Sequence, residues 1–173
     1  MRKVVVALLA APAVLVGCGG GVDGSPVAAE RWDPCSITSE ALQATGLDPE
    51  YRMVGWGRGV EVPEWDRCVF HAVGGVDYPY GLNVMSSAEH TIAESRANPS
   101  NFDGRDVEVG GRDAYMYRTD ADAVLRDCNV SLEVPYGVVV FTALYNTDDG
   151  VDACAVVMKH VNDLESMIPS TPK

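Results

Sequence analysis

Four cysteines constrain this chain more than any other feature: Cys35, Cys68, Cys128 and Cys154. A fifth, Cys18, stands apart at the end of the stretch Leu15-Val16-Gly17-Cys18. Ahead of it lie a short basic start, Met1-Arg2-Lys3, and an apolar run, Val4 to Val16, broken only by Pro12. That pattern reads as an export signal, residues 1–17, which is left out of fold reasoning. The run is too short to span a bilayer, which takes about 20 apolar residues. It carries no twin arginine, so the general export route is expected. Leu-Val-Gly-Cys has the form of a lipobox and makes Cys18 the lipidated first residue of the mature chain. The alternative is an ordinary signal peptide cut near Ala28-Ala29, which would discard Cys18.

With Cys18 spent on lipid, an even number of cysteines remains in an exported chain, and that reads as two disulfides. Four cysteines admit three pairings. The sequential one, Cys35–Cys68 and Cys128–Cys154, is expected because each bond then ties a helix to a nearby strand. A structural metal would want close pairs such as C-x-x-C, and there are none. No metal and no cofactor are expected.

A hydrophobic content of 47% and a charged content of 22% are those of a globular chain, and the mature length suits one domain with its own core. The formal net charge is −12, and losing Arg2 and Lys3 with the leader takes it to −14. So acidic a body is repelled by nucleic acid and by anionic headgroups, so nucleic acid is not an expected partner. Attachment to the membrane then falls to a diacylglyceryl group on Cys18. Each buried methylene contributes about 0.8 kcal/mol, and two acyl chains hold where one does not. Residues 18–31 include the glycine-rich, aperiodic stretch Gly19 to Glu30, a tether with an end-to-end distance of about 20 Å.

The folded domain is expected over residues 32–173. Thr38 caps a first helix, with Glu40 in its first turn and Gly46 as its stop. Tyr51 to Trp56, Arg67 to Val73 and Tyr80 to Met85 read as strands, the last with Tyr80, Leu82 and Val84 on one face. Ser86-Ser87-Ala88-Glu89 reads as a capping box opening a helix that runs to about Arg96 and ends at Asn98-Pro99. Val107 to Val109, Gly110-Gly111 and Arg112 to Arg118 form a hairpin pattern, because Gly-Gly supplies the positive φ of a two-residue turn. Val124 to Val134 alternates, with Cys128, Val130, Leu132 and Val134 together. After the turn Pro135-Tyr136-Gly137, Val138 to Tyr145 is apolar enough for a central strand. Cys154, Val157, Met158, Val161, Leu164 and Ile168 recur at helical spacing, with Asp149 or Asp152 to start the helix and Pro169 to end it. The order α-β-β-β-α-β-β-β-β-α predicts an α+β domain, an antiparallel sheet with helices packed against it.

Asp33-Pro34-Cys35 opening a helix, Cys68-Val69-Phe70 in a strand, the Gly-Gly hairpin, Cys128, and Cys154 near the start of the last helix resemble an actinobacterial lipoprotein family, domain of unknown function 3558. The family often has Trp where this chain has Phe70. The resemblance spans nearly the whole mature chain. It implies an envelope lipoprotein with an α+β body, and it implies no activity.

No catalytic set stands out. His71, His90 and His160 fall on one strand and two helices, are expected to be partly exposed, and are not brought together by the sequence. There is no strained G-x-S-x-G elbow. In Asn146 to Asp152 a calcium loop fails, since counting back from Gly150 puts Tyr145 at a ligand position. Gly55, Gly57 and Gly59 lack a following helix and a P-loop lysine. The aromatics are the remaining signal: Trp56 and Trp65 flank a glycine-rich loop, and Tyr78 and Tyr80 lie near the next strand's start. They read as core and rim residues, or as the lining of a groove for a sugar, a lipid headgroup or a protein. The expected function is that of a non-enzymatic binding or accessory module on the outer face of the cell membrane, its partner an envelope protein or component. A carrier of a lipid or other hydrophobic small molecule is the second reading, and a hydrolase with an unrecognised site the third.

Overall fold

The computed structural model describes residues 31–119, 126–145 and 150–170. The leader, Cys18, the tether as far as Glu30, the first two residues of Val124 to Val134, and Asp149 lie outside the described residues.

The elements follow the expected order. A 3-10 turn, Pro34–Ser36, leads to α1 (Ser39–Thr45), β1 (Met53–Val54), β2 (Asp66–His71) and β3 (Tyr80–Ser87). Then come α2 (Ile92–Ala97), β4 (Asn101–Val109), β5 (Arg112–Thr119), β6 (Arg126–Val134), β7 (Gly137–Tyr145) and α3 (Ala153–Leu164). The seven strands of the described residues form one sheet in the order β1-β2-β3-β7-β6-β5-β4, and every neighbouring pair is antiparallel. Two meanders, β1 to β3 and β4 to β7, therefore meet along the β3/β7 seam.

Alternation decides which side of each strand enters the core. Cys68 and Phe70, Leu82 and Val84, Phe141 and Ala143, and Cys128, Val130 and Leu132 all point to one face and are fully buried there. Helices α1 and α3 cover that face. Thr38 caps α1 by accepting from the Ala41 N–H, and Gly46 closes it; Asp152 caps α3 through the Cys154 N–H. The apolar stripe of α3, Val157, Val161 and Leu164, is wholly buried. Cys35 bonds to Cys68 and Cys128 to Cys154, the sequential pairing, each fastening a helical segment to the sheet. Gly110 and Gly111 turn the β4–β5 hairpin with φ of 58° and 80°, the positive values such a turn requires.

Four expectations are corrected. The Ser86–Glu89 capping box does not open a helix, because Ser86 and Ser87 still pair with Val139 and Val138 as the end of β3. The Ser87 hydroxyl instead accepts from the Glu89 and His90 N–H groups, and the working box is Thr91 with Glu94. The strand expected over Tyr51 to Trp56 shrinks to Met53–Val54, since the chain turns away at Gly55. β4 begins six residues earlier than Val107. Its first half is an exposed edge with a bulge between Phe102 and Arg105, so burial imposes no alternation there. His160, expected at the surface, is 1% exposed.

Burial of His160 leaves it spending both ring nitrogens inside the protein. A carboxylate only accepts, so the Thr45 hydroxyl, 2.7 Å from Asp163 Oδ2, donates there. It therefore accepts from His160 Nδ1–H at 2.8 Å, and Nε2 accepts from the Tyr80 hydroxyl at 2.7 Å. Burial, then the neighbouring Lys159, lower the His160 pKa to about 4, and burial raises that of Tyr80 to about 12. The unfolded chain thus takes up this proton near pH 6.5 while the folded chain refuses it until about pH 4. Stability is held above pH 6.5 and lost as pH falls towards 4, by about 3 kcal/mol. Urea midpoints at pH 7 and pH 4.5 are expected to drop steeply for the wild type. They should drop much less for His160→Gln, which starts lower but has nothing to titrate. Equal drops would mean that His160 is not the group responsible.

Candidate functional site

The second face of the sheet is built differently. Between the buried apolar residues of β6 stand Asp127, Asn129 and Ser131, and register aligns Asn129 with Tyr117 on β5 and Thr142 on β7. Only the short helix α2 lies against this face among the described helices, over β4 to β6. Its Ser95 hydroxyl is 3.0 Å from that of Ser131, and its Ser95 carbonyl accepts from the Asn101 amide at 2.7 Å. On the far side, Trp65 precedes β2 and stacks on His90, with ring centroids 4.9 Å apart and planes 13° from parallel. Between α2, Trp65 and the sheet lies an open groove of about 440 Å³.

Its floor is Met85, Val138, Val140 and Tyr117, and its polar lining is Asn98, Asn101, Asn129 and Thr119, with Glu94 beside His90. A closed hydrogen-bond chain underlies it. Thr142 donates to Asn129 at 2.7 Å, Asn129 donates to Asp127 at 3.0 Å, and Asp127 accepts from the Thr119 N–H at 2.9 Å and from the Thr119 hydroxyl. Buried polar groups so paired are held rigid, whereas unpaired they would cost the fold. His90 Nδ1 is 3.2 Å from Glu94, whose carboxyl is held below its ordinary range first by the Thr91 backbone N–H and then by His90. This pair is local, four residues apart on one turn, and its carboxylate is committed to capping α2.

The aromatics singled out from the sequence are distributed over four places. Trp65 lines the groove. Trp56 is outside that lining, its ring under the Arg67 guanidinium at 4.9 Å and its indole N–H buried without a partner. Tyr78 and Tyr51 sandwich His71, with centroids 3.5 Å away on each side. Tyr80 points to the helix-covered face, where it meets His160 and stacks on Tyr145. The asparagines and Tyr117 of the groove were not anticipated. The readable signal was the complementary half of β6, since an alternating strand whose even positions are core puts its polar odd positions together on the other face.

Among the described residues no group of three or more His, Cys, Asp or Glu side chains is placed to hold a metal ion, and no helix is long and apolar enough to cross a membrane. A family model described as "Protein of unknown function (DUF3558)" matches residues 13–167. No curated protein matches the chain. Among solved structures, the solution structure of cyanobacterial PsbP (CyanoP) from Synechocystis sp. PCC 6803 is similar at 12% identity, covering 88% of this chain and 92% of that one with a TM-score of 0.35.

Proposed function

The chain belongs to the DUF3558 family, and from that premise we propose that it is a lipid-anchored, non-enzymatic binding module of the bacterial envelope. It is held on the outer face of the membrane by a diacylglyceryl group on Cys18. The observation that carries the binding role is the contrast between the two faces of the sheet. One is filled by apolar side chains and sealed by helices, while the other is left as a concave groove on a rigid polar base. Rigid, mostly preformed concavities with a few convergent polar groups are where ligands bind. The anchor is supported by the leader and by the reach of the family match, which begins at residue 13 and takes in Leu15 to Cys18. The acidic body supports a partner other than nucleic acid.

A lipid carrier would want an apolar cavity between sheet and helices. That space is occupied by Phe70, Phe141, Leu82, Leu132 and Leu164, all fully buried, which counts against it. A hydrolase would want a histidine–carboxylate pair poised in a cleft. Its nearest counterpart, His90 with Glu94, has its carboxylate tied to the Thr91 N–H at 2.8 Å.

Two measurements in cells test the proposal. Cys18→Ser is expected to move the protein from the membrane fraction to the soluble one, and retention through a high-salt wash would remove the anchor. A photoreactive p-benzoylphenylalanine in place of the exposed Asn98, at the groove rim, is expected to crosslink to an envelope component. The same residue in place of the exposed Glu108, at the opposite end of β4 from Asn101, is expected to crosslink to little. Equal labelling from both positions would remove the groove as the docking face.

A further inference from the structure

We infer that the groove is a saccharide site, taking a short, uncharged stretch of glycan. This deepens the reading of the protein as a binding module and rests on it. A pyranose ring has an apolar C–H face and a rim of hydroxyls that each donate and accept. The groove mirrors both. Met85, Val138 and Val140 give it an apolar floor, with Tyr117 beside them and Trp65 as an end wall. Aromatic and aliphatic surface of this kind packs against C–H groups while keeping polar tips at the margin.

The rim supplies complementary halves of two amides. Asn98 accepts through Oδ1 from the Ser100 N–H at 3.0 Å, which leaves its NH₂ as a donor towards the groove. Asn101 spends its NH₂ on the Ser95 carbonyl, which leaves its Oδ1 as an acceptor. One neighbour offers what a hydroxyl oxygen wants and the other what a hydroxyl hydrogen wants. Asn129 beneath them gives its NH₂ to Asp127 and the Tyr117 carbonyl and accepts from Thr142 through Oδ1, so it fixes the floor and has no donor left for a ligand.

Charge narrows the class further. The groove lining holds one carboxylate and no lysine or arginine, in a chain of net charge −12. A phosphate or carboxylate ligand would meet no lysine or arginine there, only His90 already facing Glu94, and would be repelled on approach by the chain's net charge. A cationic ligand would find a single carboxylate, Glu94, whose Oε2 already accepts from the Thr91 N–H and faces His90 Nδ1. An acyl chain would leave the amide rim desolvated and unpaired, at a cost per group that a sugar avoids. The groove's size, about 440 Å³, falls in the range of small-molecule sites.

The test titrates the full lipidated chain in nanodiscs with triacetylchitotriose, cellotriose and maltotriose, using inorganic phosphate and tetramethylammonium as charged controls. The readouts are tryptophan emission and calorimetry. At least one trisaccharide is expected to bind and shift the emission. Trp65→Ala and Asn98→Ala should each weaken it by about tenfold, the equivalent of one lost good contact. Tyr78→Ala, outside the groove, should leave it unchanged. Asn98 is exposed, so its variant tests the site even if Trp65→Ala unfolds. The inference is overturned if none of the three sugars binds at millimolar concentration, if phosphate or tetramethylammonium binds in their place, or if binding ignores Asn98→Ala. Capture of an envelope protein by the Asn98 photoprobe, with no sugar bound, would overturn the glycan and leave the binding module standing.

Discussion

Reducing both disulfides is expected to unfold the protein at 37 °C. Cys35–Cys68 closes a loop of 33 residues and Cys128–Cys154 one of 26. On the chain-entropy model each restricts the unfolded chain by about 3.5 kcal/mol, about 7 kcal/mol for the two together. A domain of this size has roughly 5–15 kcal/mol in all. Cys128 is fully buried and Cys154 nearly so, so a reductant reaches that bond only when the fold opens; Cys35 is half-buried, so its bond to Cys68 is the more accessible, and complete reduction waits on the other. Loss should therefore be slow in buffer and fast in mild urea, and melting of the fully reduced, alkylated chain should show no cooperative transition. The paired variants Cys35→Ser/Cys68→Ser and Cys128→Ser/Cys154→Ser should each remain folded at 25 °C and melt well below the parent. Unchanged melting after complete reduction would contradict the assignment of this much stability to the two bonds.

Gly137→Ala should be nearly as damaging, by about 4 kcal/mol or more, a size reserved for mutations that break packing outright. Gly137 starts β7 with φ of 104°, and a β-carbon there would lie 1.9 Å from the Ser87 carbonyl oxygen and 2.8 Å from Ala88 Cα. Those are backbone atoms at the end of β3, and no side-chain rotation can clear them. Left-handed strain alone costs 1–3 kcal/mol. Relief requires the β3/β7 seam to slide, and that seam carries the pairing from Tyr80 with Tyr145 to Ser87 with Val138. Gly111→Ala is the matched control, with φ of 80° but nothing within 4 Å, and should cost only about 1 kcal/mol. Urea denaturation of the two variants checks the difference. If Gly137→Ala were no worse than Gly111→Ala, the seam would be looser than its geometry implies.

The element order and the sulfur pairing were legible because burial leaves a periodic trace. β6 alternates cleanly since one face is core, and α3 shows its stripe since one side meets the sheet. Where burial stops, so does the trace. The first half of β4 is exposed and bulged, and nothing in Asn101 to Asp106 distinguishes it from a loop. The misplaced capping box has a different cause. Ser86–Glu89 and Thr91–Glu94 carry the same local signal, and the ladder to β7 claims the first before a helix can form. The groove was half legible. Trp65 drew attention as an aromatic, but Asn98, Asn101 and Asn129 come from three elements that only the sheet's folding order brings together. The burial of His160 leaves no local trace, because the partners that allow it, Thr45 and Tyr80, are 115 and 80 residues away in the chain.

The sulfur bridge at the domain's entrance also decides how a tug would travel. Arg31 is clasped to Asp66 at 2.9 Å and to the Pro63 carbonyl at 2.5 Å, and four residues on Cys35 is bonded to Cys68. Force arriving from the N-terminal side therefore crosses through sulfur into the middle of β2, and residues 36–67 form a slack loop outside the covalent path. α1 and β1 are spared, and the strain enters the sheet one residue from Arg67, whose β3 partner Met85 lies on the groove floor. A load placed on the N-terminal residues would be borne by this covalent frame before it reached the groove.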